Sequence, residues 1–295
     1  MICGICGKEC SGKMYSVPER ILNTGESFDY LECEHCGSWT MIDEVNLGDY
    51  YPKEYNPYRR SAPAVSVWKK RKILRIFERD YSDFEKVMRM RGVDILIKRL
   101  CGVRINQYSK IIDVGCATGH WLDIMAECGF TNLTGVDLFI PIENVKEKKW
   151  KFIQGDIFTI NPDGEGKKYD LITLHHSLEH MYNPLEVLKK ANSLLSDDGY
   201  CVISIPLVGG VAHKMFGEYY CQLDAPRHIS MMSKNAMKDI SDKAGFEVEH
   251  ISYDSHGLIF SISDGYMNTT KSHSELMVEG GGEVEEISED KQCKL

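Results

Sequence analysis

Four cysteines open the chain in two pairs, Cys3-x-x-Cys6 and Cys33-x-x-Cys36, with 26 residues between them. Each pair can place two thiolates on one tight turn, and two such turns complete a tetrahedral site. Four thiolates leave no open position for water. The reading is therefore a structural zinc bound by Cys3, Cys6, Cys33 and Cys36 and remote from any reacting centre. Gly4, Gly7 and Gly37 suit the knuckle turns, where φ goes positive. Cys10 is a spare ligand, but two clean pairs fit better. The chain holds 11 cysteines. An odd count without a basic and apolar leader speaks against a disulfide framework. The remaining cysteines suit small core or surface positions.

A second chemical signal runs from Ile111 to His120, Ile-Ile-Asp-Val-Gly-Cys-Ala-Thr-Gly-His. An apolar run ends in a glycine-containing loop that opens a helix. Glycines there let the backbone approach a ligand at the carboxyl end of a strand. Leu133-Thr134-Gly135-Val136-Asp137 then ends in an acid 24 residues after Asp113. A carboxylate has two oxygens, so Asp137 can accept both hydroxyls of a ribose. Gln154-Gly155-Asp156-Ile157 ends a third run with another acid, able to accept from an adenine amino group. The loop lacks the Gly-x-Gly-x-x-Gly spacing that seats a pyrophosphate, which counts against a dinucleotide.

Histidines supply the third signal. His176 and His180 lie in His175-His176-Ser177-Leu178-Glu179-His180, and His228 lies in Asp224-Ala225-Pro226-Arg227-His228. Histidine suits proton transfer near neutral pH. His176, Glu179 and His180 stand at i, i+3 and i+4, so on a helical turn they share one face. That face could instead hold a divalent metal. His228 is the first choice as base or acceptor contact, His180 the second and the metal triad the third. The plain alternative is that these residues cap and tie their turns.

The elements that must position these residues follow from hydrophobic patterning. Strands are expected at 110–114, 132–137, 151–154, 169–174, 200–205, 247–253 and 257–263, and helices at 120–128, 184–195 and 233–244. Strands alternating with helices mean a parallel α/β sheet covered on both faces. The last two strands, close in sequence, suggest an antiparallel hairpin at one edge. Leu74, Phe77, Tyr81, Phe84 and Met88 recur at steps of three and four, a helical stripe that docks onto the next domain.

Asp-x-Gly-x-Ala-Thr-Gly from Asp113, then Gly-Val-Asp, Gly-Asp-Ile and Tyr169-Asp-Leu-Ile, form an ordered set. It resembles the class I S-adenosylmethionine-dependent methyltransferases over about residues 105–264. The resemblance implies a Rossmann-like seven-stranded sheet in the order 3-2-1-4-5-7-6, preceded by a small zinc ribbon. It implies a cofactor site made of Asp113, Gly115, Cys116, Ala117, Gly119, Asp137, Leu138, Asp156, Ile157 and His175. Gly115 and Gly119 would line the methionine part, with Asp113 beneath the loop. Asp137 would hold the ribose, Asp156 and Ile157 the adenine, and His175 would close the site above the sulfonium. The family often has glycine where Ala117 stands. Leu-Glu-His before a proline and the later Pro-Arg-His resemble methyltransferases of sugars, glycan precursors and other small molecules. Amino-group methyltransferases of nucleic acid carry Asn/Asp-Pro-Pro-Tyr after strand four; His175-His176-Ser177-Leu178 stands here instead.

Composition bounds these readings. The 295 residues, 43% hydrophobic and 27% charged, allow one large soluble domain and a small one. A net charge of −9 is a poor match to nucleic acid. Against that stand Arg59, Arg60, Lys69, Lys70, Arg71, Lys72 and Arg75, seven basic residues with no acid up to Phe77, which keep a zinc-ribbon RNA methyltransferase in view. A non-catalytic scaffold with the same fold is a further alternative. No apolar run reaches the ~20 residues that span a bilayer, so no membrane insertion is expected and the chain reads as cytoplasmic. The expected organisation is a zinc module at 1–50, linker and docking helices at 51–100, the catalytic domain at 101–265 and an acidic, disordered tail at 266–295.

Overall fold

The computed structural model of the chain describes residues 1–52, 65–161, 168–254 and 257–280. Its strands are β1 (Met14–Pro18), β2 (Ser27–Glu32), β3 (Trp39–Met41), β4 (Ile111–Val114), β5 (Leu133–Asp137), β6 (Lys151–Gln154), β7 (Tyr169–His175), β8 (Leu195–Ser204) and β9 (Ser230–Met231). Its helices are α1 (Val67–Leu74), α2 (Phe84–Met88), α3 (Ile95–Lys98), α4 (His120–Glu127), α5 (Pro184–Leu194), α6 (Val211–Phe216), α7 (Lys234–Lys243), α8 (Gly257–Asn268) and α9 (His273–Gly280). They fall into two compact units. Tyr51–Leu178 and Glu186–Ile205 form a sheet unit. Met1–Tyr50, Glu179–Leu185 and Pro206–Leu295 form a cysteine unit.

The sheet unit is a five-stranded parallel sheet in the order β6-β5-β4-β7-β8. This is the expected 3-2-1-4-5 half of the sheet. The apolar β4 is buried along its whole length, as a central parallel strand must be. Helix α4 lays Trp121, Leu122, Ile124 and Met125 into the core. It ends in a Schellman turn: Gly129 is left-handed at φ 98°, and Phe130 N–H donates to the Met125 carbonyl at 3.1 Å. That turn sends the chain directly into β5.

The docking stripe joins the same core, in short pieces rather than one helix. Of the stripe only Phe77 is buried, with Leu74 and Phe84 packed at the margin; Ile73, Ile76 and Val87, next to stripe positions, fill the core instead. Asp80 caps a new turn by accepting from Ser82 N–H, and this breaks the run.

The expected sixth and seventh strands do not form among the described residues. Residues 247–253 are exposed and irregular, and 257–263 opens α8. Leu-Ile-Phe-Ser-Ile has strand-like residue types but helical spacing. Ile262, Ser263 and Tyr266 fall on one buried face.

In the cysteine unit β1, β2 and β3 form an antiparallel sheet that continues into β9, with Trp39 opposite Met231 and Thr40 opposite Ser230. The first 50 residues thus share their sheet with a strand about 190 residues away in sequence. Their apolar cluster is likewise shared, since Val17, Tyr30, Trp39 and Met41 pack with Leu223, Ile229 and Met231. Residues 266–280, expected within a disordered tail, form the end of α8 and all of α9, where Leu276 packs on Ile262 and Tyr266. The remainder of that tail, and Arg59 and Arg60 of the basic run, lie outside the described residues. No helix among the described residues is long and apolar enough to cross a membrane.

Candidate active site

At the carboxyl end of β4 the loop turns through three left-handed residues: Gly115 at φ 76°, Ala117 at φ 48° and Gly119 at φ 68°. This backbone needs glycine where neighbours crowd. A Cβ on Gly115 would lie 2.4 Å from Ser177 Cβ, and one on Gly119 would lie 2.0 Å from the Trp150 ring. Asp137, at the end of β5, fastens the loop by accepting from Ala117 N–H at 2.9 Å. Its other oxygen accepts from Phe139 and Ile140 N–H at 2.9 and 3.1 Å. Burial raises this carboxyl above the usual range. About one of its roughly four lone-pair directions is left over. Holding the loop is a role the spacing argument did not anticipate.

Asp113 lies deeper than expected. It is 2% exposed and accepts from Trp121 Nε1–H at 2.8 Å and Thr173 Oγ–H at 2.7 Å. Burial pushes its carboxyl up to about 7. It ties β4, α4 and β7 together. Cys116 also faces inward, its sulfur lying under Gly135. The Asp156 carboxylate caps the turn at Ile157–Thr159, accepting from Phe158 and Thr159 N–H. Ile157 is fully buried beneath that turn, whereas Leu138 and Phe158 are 55% and 50% exposed at the ends of β5 and β6. His175 packs edge-on against Trp121, and burial pushes its imidazole down to about 3.

The histidines separate. His176 is exposed and left-handed at φ 52°, so the i, i+3, i+4 helical spacing does not apply to it. Its Nε2 lies 3.2 Å from an Arg99 guanidinium N–H, which fits an acceptor. In the cysteine unit Glu179, His180 and His228 come together, each offering a ligand atom within 4.8 Å of the others. Each of these imidazoles has its Nδ1 against a carbonyl: His180 on Arg227 at 2.8 Å, His228 on Gln222 at 2.7 Å. A carbonyl only accepts, so both Nδ1 atoms carry the proton. Burial and the neighbouring His228 push His180 down to about 4.

Arg227 braces this group. Its fully buried guanidinium donates to Asp224, to Glu19 at 3.1 Å and to the Tyr50 carbonyl. Burial opposes ionisation of Asp224, but Arg227 holds its carboxyl below the usual value. Tyr30 Oη–H donates to the His228 carbonyl at 2.9 Å. Asp224 stands three residues before Arg227 of the Pro-Arg-His stretch, and that i, i+3 spacing is the local signal for the pair. Glu19, about 200 residues away, gave no signal.

The four cysteines also converge. Cys3 and Cys36 sulfurs are 3.9 Å apart, and Cys6 and Cys33 sulfurs 3.7 Å. Zinc–sulfur bonds of about 2.3 Å put tetrahedral ligands about 3.8 Å apart. The knuckles close through Gly7 and Gly37 N–H on the Cys3 and Cys33 carbonyls, with both glycines left-handed; Gly4 is not. The hydrogen bond between the two sulfurs pulls Cys3 down toward the thiolate and pushes its donor Cys36 up; a bound cation would favour the thiolate at both.

A family model described as a methyltransferase domain matches residues 58–251, more than half of the chain. The chain belongs to the methyltransferase-domain family. Among curated relatives, the ubiquinone biosynthesis O-methyltransferase of Actinobacillus pleuropneumoniae is 30% identical over 105 residues, 32% of this chain and 44% of the relative. The ribosomal RNA large subunit methyltransferase E of Caulobacter vibrioides is 51% identical over 37 residues, 12% of this chain and 16% of the relative. The chain thus spans less than half the length of these relatives. Among solved structures, an S-adenosylmethionine-dependent methyltransferase from Mesorhizobium loti has a TM-score of 0.40 at 14% identity, over 49% of this chain and 77% of that one.

For a methyltransferase-domain protein the group to be held is S-adenosylmethionine, and the loop fits it. Ser177 Oγ and His175 Nε2 are buried polar atoms with no hydrogen-bond partner, and Ser177 sits directly over Gly115. Such atoms are costly unless a ligand meets them. Ser177 was not singled out from the sequence; its only mark there was its place after the fourth strand.

Proposed function

We propose that this protein is an S-adenosylmethionine-dependent methyltransferase acting on a hydroxyl of a small molecule, such as a sugar, a glycan precursor or a ring phenol. The observation that carries the reading is the left-handed loop Gly115–Gly119 fastened to Asp137, with Ser177 Oγ buried over it. The residues that would hold the cofactor are the loop backbone, Asp137, Ser177 and His175, with Leu138 and Phe158 offering apolar surface for the adenine. When bound, the cofactor supplies an electrophilic methyl group on a sulfonium. The chain's own part is to align the acceptor and to ease loss of its proton. His228 and His180, singled out for this from the sequence, each hold Nδ1–H on a carbonyl, which leaves Nε2 as the nitrogen that can take a proton or ligate a cation. A small-molecule acceptor is supported by the names of the ubiquinone-pathway relatives. Zinc in the four-cysteine cluster would fix the sheet that carries β9.

Calorimetry with S-adenosylhomocysteine tests the reading. Asp137→Ala should weaken binding by about 1–3 kcal/mol, the scale of hydrogen bonds to a charged group. Unchanged affinity removes Asp137 from the ribose role. No binding to the wild type sinks the methyltransferase reading. A second reading, an RNA acceptor, draws on the short match to a ribosomal RNA methyltransferase and on Lys69, Lys70, Arg71, Lys72 and Arg75. A salt-dependent RNA shift would favour it.

A further inference from the structure

Glu179 and His228 draw together residues 49 positions apart in sequence, and neither is explained by the four-cysteine cluster. Glu179 is fully buried and His228 is 8% exposed. His228 Nε2 lies 4.0 Å from Glu179 Oε1 and 3.9 Å from Asp224 Oδ2. Those spans are too long for hydrogen bonds. They are close to the separation of two ligands on one cation, since bonds of about 2.1 Å put tetrahedral neighbours about 3.4 Å apart. The tautomers point the same way. A histidine that ligates through one nitrogen characteristically donates its other ring N–H to a carbonyl or carboxylate, which fixes the ring and raises its basicity. Both His180 and His228 have that arrangement, on the Arg227 and Gln222 carbonyls. The two rings stand edge to face at 78° with centroids 4.6 Å apart.

We propose that Glu179, His180 and His228 bind a divalent cation through one carboxylate oxygen and two imidazole Nε2 atoms. Two nitrogens and one oxygen suit zinc, cobalt, manganese or ferrous iron, and exclude the four-thiolate chemistry of the cysteine cluster. Three protein ligands leave an open position. Its use to hold an acceptor oxygen rests on the methyl-transfer reading above; the cation site itself does not. His176, which its position before Glu179 made a candidate ligand, is replaced by His228. Asp224 is the neighbouring carboxylate that Arg227 keeps ionised and in place.

The test titrates cobalt(II) into protein whose cysteine cluster is already loaded with zinc, and reads visible absorption. The expected result is one further equivalent of cobalt with weak ligand-field bands and no sulfur-to-cobalt charge transfer. Glu179→Gln and His228→Asn should each weaken it at least tenfold; the asparagine can still donate toward the Gln222 carbonyl. Thermal melts check that both variants fold. No further cobalt in the wild type, or unchanged affinity in both variants, overturns the site. If either variant fails to fold, the wild type alone decides through diethyl pyrocarbonate labelling mapped by mass spectrometry. Cobalt should slow labelling of His180 and His228 at least tenfold, and equal rates overturn the site. S-adenosylhomocysteine binding, measured alongside, reports separately on the methyltransferase reading.

Discussion

At the scale of single residues, Asp113 shows how position and role come apart. The sequence placed an acid at the end of the first strand, and there it is. Its partners Trp121 and Thr173 could not be read, because side-chain direction depends on packing between elements eight and 60 residues away. With a folded value near 7 against an ordinary 3.8, the unfolded chain releases this proton first. Asp113's contribution is therefore complete below about pH 4 and is lost as pH rises through 7. Asp113→Asn keeps an oxygen for Trp121 and an amide for Thr173 but has no proton to lose. Urea titrations should show the variant gaining on the wild type by up to about 1.4 kcal/mol per pH unit between pH 4 and 7. A constant difference across that range sinks the assignment. Ala117 gives a second case. A left-handed alanine costs about 1–2 kcal/mol, while a glycine loses about 0.4–1 kcal/mol through the freer unfolded chain. Ala117→Gly should thus leave stability unchanged or slightly raised. A loss beyond about 1 kcal/mol would show that the methyl group packs on something the loop needs.

At the scale of elements, the βα ladder from β4 to β8 was legible because each strand is a short apolar run closed by a turn or a helix start. The two strands expected after it were not, for a physical reason. An apolar run of Leu258, Ile259, Phe260 and Ile262 has no clean period of two, and its choice of helix is settled by what it meets, here Leu276 of α9. Burial of β4 on both faces similarly hid nothing, since a fully apolar strand reads the same either way. Helix α7 begins just after Ser233, which the patterning counts as its first residue and the structure makes its cap. Ser233 Oγ accepts from Ala236 N–H at 3.1 Å and also donates to the Cys36 carbonyl. One hydroxyl therefore starts a helix and fixes a cysteine knuckle. Ser233→Ala should cost about 1–2 kcal/mol by denaturant titration, the cap plus a buried hydrogen bond. Ser233→Thr should recover most of it. A variant as stable as the wild type would mean the cap is replaced by water.

At the scale of the whole molecule, the cysteine pairs were plain in the sequence but the unit they serve was not. A 50-residue window cannot show that β3 pairs with β9, or that Glu19 holds Arg227, since both contacts close loops of about 190 residues or more. The consequence is that the four-cysteine cluster and the segment bearing His228 belong to one compact unit. Zinc in the cluster, as proposed, would add its binding energy to the stability of that unit. Cys33 and Cys36 lead into β3 within a few residues, and β3 holds β9, two residues after His228. Stripping the cluster with a thiol-reactive mercurial and a chelator should therefore remove hydrogen-exchange protection from β1–β3 and from β9 and α7 together, rather than from the first 50 residues alone. Tyr30, whose hydroxyl holds the His228 carbonyl, should become accessible in the same step. Readdition of zinc should restore both segments at the same rate, because one sheet carries them. If β9 and α7 keep their protection while β1–β3 lose theirs, the sheet is not the device that carries the metal's stability to the histidines. His228 would then owe its position to its own loop, where the Gln222 carbonyl holds the ring and Arg227 holds Asp224.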